Sequence, residues 1–172
     1  MIDFMATLTP QRQREIDSVV ESISLNTGLS YPENGLLEIA NALGVKVVEL
    51  ELESSLNGAV QYRNEKEEHE PIIILNKNYP PPRKTFTLAH ELGHFMLHKG
   101  EERLRLDQVN YSAEDSAKET EANYFAASLL VPKTKLIKIL RVADNVDNTA
   151  LARYFGVSKP VIENRLKWLA TN

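Results

Sequence analysis

The chain has no cysteine among its 172 residues, so disulfides are excluded and any zinc centre must be built from His, Asp or Glu. It has no apolar run of about 18 residues and no hydrophobic leader core near its start, which predicts a soluble, cytoplasmic protein without a membrane partner. Positive charge is not in excess. Twenty Lys and Arg stand against 24 Asp and Glu, a net charge of -4, which argues against a general nucleic-acid binder and leaves only local basic patches. Internal repeats and low-complexity tracts are missing as well. A hydrophobic content of 42% suffices for one well-buried core with a small appendage.

Uncommon chemical groups converge in one place, FTLAHELGHFMLH over residues 86–98. His90 and His94 stand four apart, which on a helix is one turn plus about 40°, so both imidazoles project from one side and can close on one metal ion. Glu91 points roughly 100° away around the axis, where it flanks such a metal as a general base for water. A chance HExxH match would lie on a polar, solvated helix. Here Phe86, Leu88, Ala89, Leu92, Phe95, Met96 and Leu97 make the segment apolar on nearly every side, the mark of a buried helix. Two histidines and a carboxylate buried there without partners would be costly, and metal coordination relieves that cost.

Around this helix the pattern predicts an α+β fold with a small mixed sheet of about three strands. Thr9-Pro10 caps a first helix that ends at Asn26-Thr27-Gly28, and a shorter helix is predicted over residues 33–43, with Gly44 as its left-handed cap. Strands are predicted over 45–51, 58–63 and 71–75, the last placed centrally because its Ile-Ile-Ile-Leu run is uniformly apolar. Acidic residues 65–70 form a solvated turn, within which His69 takes no role. Pro80-Pro81-Pro82 ends the last strand and opens the His90 helix. Residues 99–111 are predicted to form a connecting loop. Ser112 with Asp115 then starts a helix running to about Val131, and Pro132 starts the next.

A catalytic zinc site takes three protein ligands and leaves one position open. On the helix from residue 113, the apolar face carries Ala122, Phe125, Ala126, Leu129 and Leu130. Glu119 lies within about 50° of its centre, whereas Glu121 points about 110° away. Glu119 is therefore the chosen third ligand, and Asn123 one turn later is placed to hydrogen-bond a ligating imidazole. Asp115 and His98 are the rivals. His98 continues the row of His90 and His94, but three successive histidines on one straight helix do not easily surround one ion, so it is assigned a supporting or helix-end position.

With RKTFTLAHELGHFMLH (83–98) and ETEANYFAASLLVP (119–132) in hand, the chain resembles the ImmA/IrrE family of metallopeptidases, with weaker agreement in PIIILNKNYPP and LARYFGVSKPVIENRL. The resemblance implies a zincin-like fold, one Zn2+ per chain held by His90, His94 and Glu119, and Glu91 as the catalytic residue. It also implies site-specific proteolysis of helix-turn-helix repressors, or a place beside such regulators in toxin-antitoxin-like pairs. Val131 departs from the methionine more usual before the proline, which touches packing and not chemistry.

The expected reaction is zinc-assisted peptide hydrolysis, with Glu91 taking the proton of the attacking water and delivering it to the departing amine. The substrate is expected to lie extended along a sheet edge, for which 58–63 is the candidate, and Tyr111, Tyr124, His98 and Arg83 are candidates for stabilising the oxyanion. Residues 1–143 form the expected peptidase domain, and 144–172 a helix-turn-helix-like pair packed on it. That pair carries Arg153, Lys159, Arg165 and Lys167, a thin footprint for duplex DNA. Packing or substrate docking is preferred over DNA binding; the alternative is a DNA- or protein-binding regulator with a latent metal site.

Overall fold

A computed structural model of the chain describes residues 8–54, 56–61, 71–99, 103–106, 113–143 and 145–170. Helix α1 (Pro10–Thr27) starts where Thr9 accepts a hydrogen bond from the Arg12 amide and Pro10 supplies the first helical position. It stops at Gly28, whose φ of 71° lets its N–H reach back to the Ser24 carbonyl. Helix α2 (Leu36–Ala42) begins later than the sequence pattern predicts. Asn34 is committed to a local turn, accepting from the Ser30 amide while its own amide donates to Ser30, and Glu33 is tied to Lys135. These bonds compete with helix formation there.

The sheet has four strands among the described residues, one more than expected: β1 (Lys46–Leu50), β2 (Leu56–Gln61), β3 (Ile72–Asn76) and β4 (Arg103–Leu106), in the order β1-β3-β2-β4. It is mixed. β1 runs parallel to β3, with Lys46 opposite Ile72, while β2 is antiparallel to both β3 and β4. β3 is internal, as its apolar run requires, and buries Ile73 and Leu75. Two expectations are corrected. β4 forms inside the predicted 99–111 loop, and it covers β2, so the strand expected to offer a free edge is interior. Residues 62–70 with His69, and Tyr111 and Ser112, lie outside the described residues, as does the side chain of Asp115.

At the end of β3 the buried Asn76 amide donates to the carbonyls of Leu52 and Glu53, fixing the turn that leads into Pro80. Helix α3 (Pro81–Leu97) follows, and residues Thr87 through His94 are all buried. This middle stretch is covered because β2, β3 and α4 (Ala113–Leu130) all pack against the helix. α1 lies against α4. Next come α5 (Lys133–Val142), α6 (Asn148–Phe155) and α7 (Lys159–Ala170), the last two joined at Gly156, whose φ is 62°.

The α6–α7 pair buries Leu151, Phe155, Val157, Ile162 and Trp168. Trp168 meets Tyr124 of α4 edge-on at 5.1 Å, and Phe155 accepts a hydrogen bond from Tyr31. Arg165, counted above among the basic groups, is instead 2% exposed and donates through Nε to the Val131 carbonyl. Arg153, Lys159 and Lys167 are left as the exposed cations of the pair. No helix among the described residues is long and apolar enough to cross a membrane.

Candidate metal centre

His90, Glu91 and His94 come from the buried stretch of α3, and Glu119 and Asn123 from the facing side of α4. The two helices can approach this closely because position 93 is glycine. A Cβ there would lie 3.1 Å from Cδ1 of Phe125 and 3.2 Å from the Cα and carbonyl oxygen of Ala122. Ala122 lies one turn beyond Glu119, so the crossing sets the depth at which the Glu119 carboxylate enters.

Three side chains converge. Nε2 of His90 and Nε2 of His94 are 3.0 Å apart, and the Glu119 carboxylate lies 3.2 Å from the first through Oε2 and 3.0 Å from the second through Oε1. His90 is fully buried, His94 is 3% exposed and Glu119 is 9% exposed. Burial by itself would raise the Glu119 carboxyl pKa; when the Nε2 atoms facing it carry protons, His90 and then His94 outweigh burial and hold the group well below the usual carboxylate range. Glu91, next in sequence to His90, is 1% exposed.

Partners behind the rings assign their protons. Nδ1 of His90 donates to Oδ1 of Asn123 at 2.8 Å, leaving Nε2 of His90 as a lone pair. Nε2 of His98 faces Oε2 of Glu121 at 2.9 Å, and a carboxylate accepts, so His98 carries its proton there. In neutral His98, Nδ1 is then an acceptor for Nδ1–H of His94, 3.0 Å away, and Nε2 of His94 is also a lone pair. Two imidazole lone pairs and a carboxylate facing one another in a buried space repel unless a cation stands among them. A tetrahedral ion with bonds of 2.0–2.1 Å spaces its ligands at about 3.3 Å, close to the distances found. These residues fit a divalent metal.

Asn123 thus stands behind the His90 ring, on the helix face expected of it, and His98 stands behind the His94 ring. Glu121 is what the helix-face argument missed. Its carboxylate accepts from Arg12 of α1 through Nε at 2.9 Å and Nη2 at 2.7 Å, while Oε2 also meets His98. Burial alone would raise the Glu121 pKa; Arg12 first, then His98, bring it below the ordinary value. The Arg12–Glu121–His98–His94 chain ties α1 to the centre.

Among the oxyanion candidates, Tyr124 is buried and its hydroxyl donates to Asp17 at 3.0 Å, so it is committed to α1. Arg83 lies over the Tyr79 ring at 3.7 Å, and His98 is held by His94 and Glu121.

Comparison with known proteins fits this geometry. The pattern of the peptidase family described as the IrrE N-terminal-like domain matches residues 40–167, which contain both halves of the centre. The chain is 25% identical over 142 residues to Metallopeptidase ImmA of Bacillus subtilis (strain 168), covering 83% of this chain and 80% of that one. It is 28% identical over 102 residues to Uncharacterized immunity region protein 2 of Bacillus phage phi105, covering 59% and 61%. A solved structure of a Mycobacterium tuberculosis transcriptional regulator shares the fold with a TM-score of 0.58 at 20% identity, across 91% of this chain and 48% of that one. The chain therefore spans about half the length of that regulator.

Proposed function

The chain belongs to the ImmA/IrrE family of metallopeptidases, and from that premise we propose that it is a zinc-dependent endopeptidase acting on a protein, in a zincin-like arrangement of α3 on the sheet. The observation that carries the reading is the cluster of His90, His94 and Glu119, three buried lone-pair donors from two separate segments with their tautomers set by Asn123 and His98. Zinc suits two imidazoles and a carboxylate with one position left open.

Bound there, a zinc ion supplies Lewis acidity that polarises the scissile carbonyl and acidifies the attacking water. The chain's own residues do the rest. His90, His94 and Glu119 hold the ion, and Asn123 and His98 keep the two rings turned toward it. Glu121 and Arg12 keep His98 in place. Glu91, buried beside His90, accepts the proton of the attacking water and returns it to the departing amine. An extended substrate segment pairs with the outer edge of β4, since β2 is enclosed and, among the described residues, nothing pairs with the far side of β4.

The substrate we propose is a helix-turn-helix repressor or a co-encoded regulator. The immunity-region name of the phage relative supports it, and the transcriptional regulator that shares the fold is consistent with it. Such a substrate places the reaction in the cytoplasm. Residues 1–143 form the hydrolytic unit and 144–172 the docked helical pair, whose buried Arg165 weakens the case for DNA contact. The test is to incubate the zinc-loaded protein with the product of the neighbouring regulatory gene and follow its size by mass spectrometry. One discrete cut that chelation abolishes is expected. An intact regulator, with band shifts on duplex DNA instead, would support the DNA-binding alternative.

A further inference from the structure

A cavity of about 270 Å³ opens beside the metal centre, lined by Phe86, Asn123, Ala127, Pro160, Val161, Asn164 and Trp168. None of the proposed ligands lines it, but two of its lining residues lie against His90. Asn123 holds Nδ1 of His90, and the Phe86 ring, one turn before that histidine, lies 6.4 Å from it between centroids. Its far wall is α7, where positions 160, 161, 164 and 168 recur at helical spacing and so share one face. Five of the seven lining residues are apolar and the other two are neutral amides. Such a lining accepts an apolar side chain and resists a charged one. The volume falls just below the roughly 300–1,000 Å³ of small-molecule sites, which suits one large side chain and not a folded partner.

We infer that the C-terminal helix serves peptide selection: with Phe86 and Ala127 it forms a pocket for a large aliphatic or aromatic side chain of the substrate residue beside the scissile bond. This rests on the peptidase reading for the placement of that bond, but not for the pocket's apolar selectivity. The α6–α7 pair is thereby a wall of the substrate site. Val161, half-buried at the near end of α7, is the residue whose size sets which side chain fits.

Trp168 is the one tryptophan of the chain, so its emission reports on the pocket without any turnover. The experiment titrates the full-length zinc-loaded protein with N-acetyl-phenylalanine amide, N-acetyl-alanine amide and N-acetyl-aspartate amide. In parallel, cleavage of a randomised peptide library is sequenced for the wild type, Val161→Phe and Val161→Ala. A saturable emission change is expected with the phenylalanine derivative, at least about tenfold tighter than with the others, because hydrophobic pockets discriminate about 10- to 200-fold per methylene. The library is expected to show Leu, Phe or Met enriched at one position next to the cut. Val161→Phe moves that preference toward Ala and Gly, and Val161→Ala moves it toward Trp. Opposite shifts from two variants are not produced by loss of folding. Cleavage with the same residue preference in all three proteins overturns the pocket and leaves the peptidase reading intact. Selective Trp168 titration without cleavage of any peptide overturns the peptidase reading and sustains the pocket as an apolar side-chain site. No selective titration, with no residue preference, overturns the inference.

Discussion

Replacing Gly93 with alanine puts a methyl group where α4 already is. The new Cβ would sit 3.1–3.2 Å from Phe125 and from the backbone of Ala122, closer than ordinary contact, so α4 has to give by a few tenths of an ångström. Phe125 is fully buried, so it cannot swing aside into solvent. Two effects oppose each other in the metal-free protein. Alanine is favoured over glycine in a helix by about 1 kcal/mol, while overpacking a close-packed contact costs about 1–3 kcal/mol. The net loss expected is therefore small, between about 0 and 2 kcal/mol. The metal centre is less forgiving, because ligand distances tolerate only about 0.2 Å and Glu119 lies one turn from the contact. A loss of zinc affinity of about 100-fold at fixed zinc removes about 2.7 kcal/mol of ligand-linked stabilisation. For a domain of this size that is about 5–10 °C of the zinc-induced rise in Tm. Thermal melts with chelator and with zinc, paired with competition against a chromophoric chelator, separate the two effects. If Gly93→Ala keeps both the wild-type zinc-induced shift and the wild-type affinity, the close crossing does not set the ligand geometry and the reasoning is wrong.

Three further outcomes follow from named contacts. Arg12→Met removes the two hydrogen bonds that clamp Glu121, and zinc affinity measured by chelator competition is expected to fall about 10-fold, as for partners that orient a ligating imidazole; unchanged affinity would show that α1 plays no part at the centre. The same variant has a pH signature. Folding holds the Glu121 carboxyl below its ordinary value of 4.5 against the pull of burial, so its contribution is present above that pH and lost as pH falls through the folded value. The urea-melt gap between wild type and Arg12→Met, on the order of 1 kcal/mol at neutral pH for a partly buried pair, is expected to shrink below that pH, and a gap that widens in acid would contradict the assignment. Asp17→Ala strands the hydroxyls of Tyr124 and Ser128, which both donate to Asp17; a loss of about 2 kcal/mol is expected, with zinc affinity unaltered, and a matching fall in affinity would refute the separation of the two networks.

Periodicity exposed the parts of this molecule whose causes are local. His90 and His94 share a face by spacing alone, and Glu119 and Asn123 follow from the apolar face of α4. Thr9, Gly28 and Gly44 mark helix ends because capping and a positive φ are properties of a few adjacent residues. What escaped was set by tertiary contact. Glu121 points off the apolar face and reads as a solvated acid, and only its meeting with Arg12, 109 residues earlier, makes it part of the centre. Gly93 did carry a signal, since glycine inside a buried helix costs about 1 kcal/mol and implies a packing reason. β4 carried one too: the alternation in Arg103-Leu104-Arg105-Leu106 is strand-like, but the polar residues around it masked it. Arg165 was counted as a surface cation because a helix next to a turn ordinarily keeps its arginines in water.

The central claim is that two distant stretches of chain grip one divalent cation. Zinc-edge X-ray absorption of the zinc-loaded protein tests it most directly, comparing the wild type with Glu119→Ala. The account predicts one zinc per chain with two imidazoles and a carboxylate oxygen at about 2.0–2.2 Å, and loss of the oxygen or of the metal in the variant. A zinc shell without paired imidazoles, or a spectrum that Glu119→Ala leaves unchanged, would contradict it.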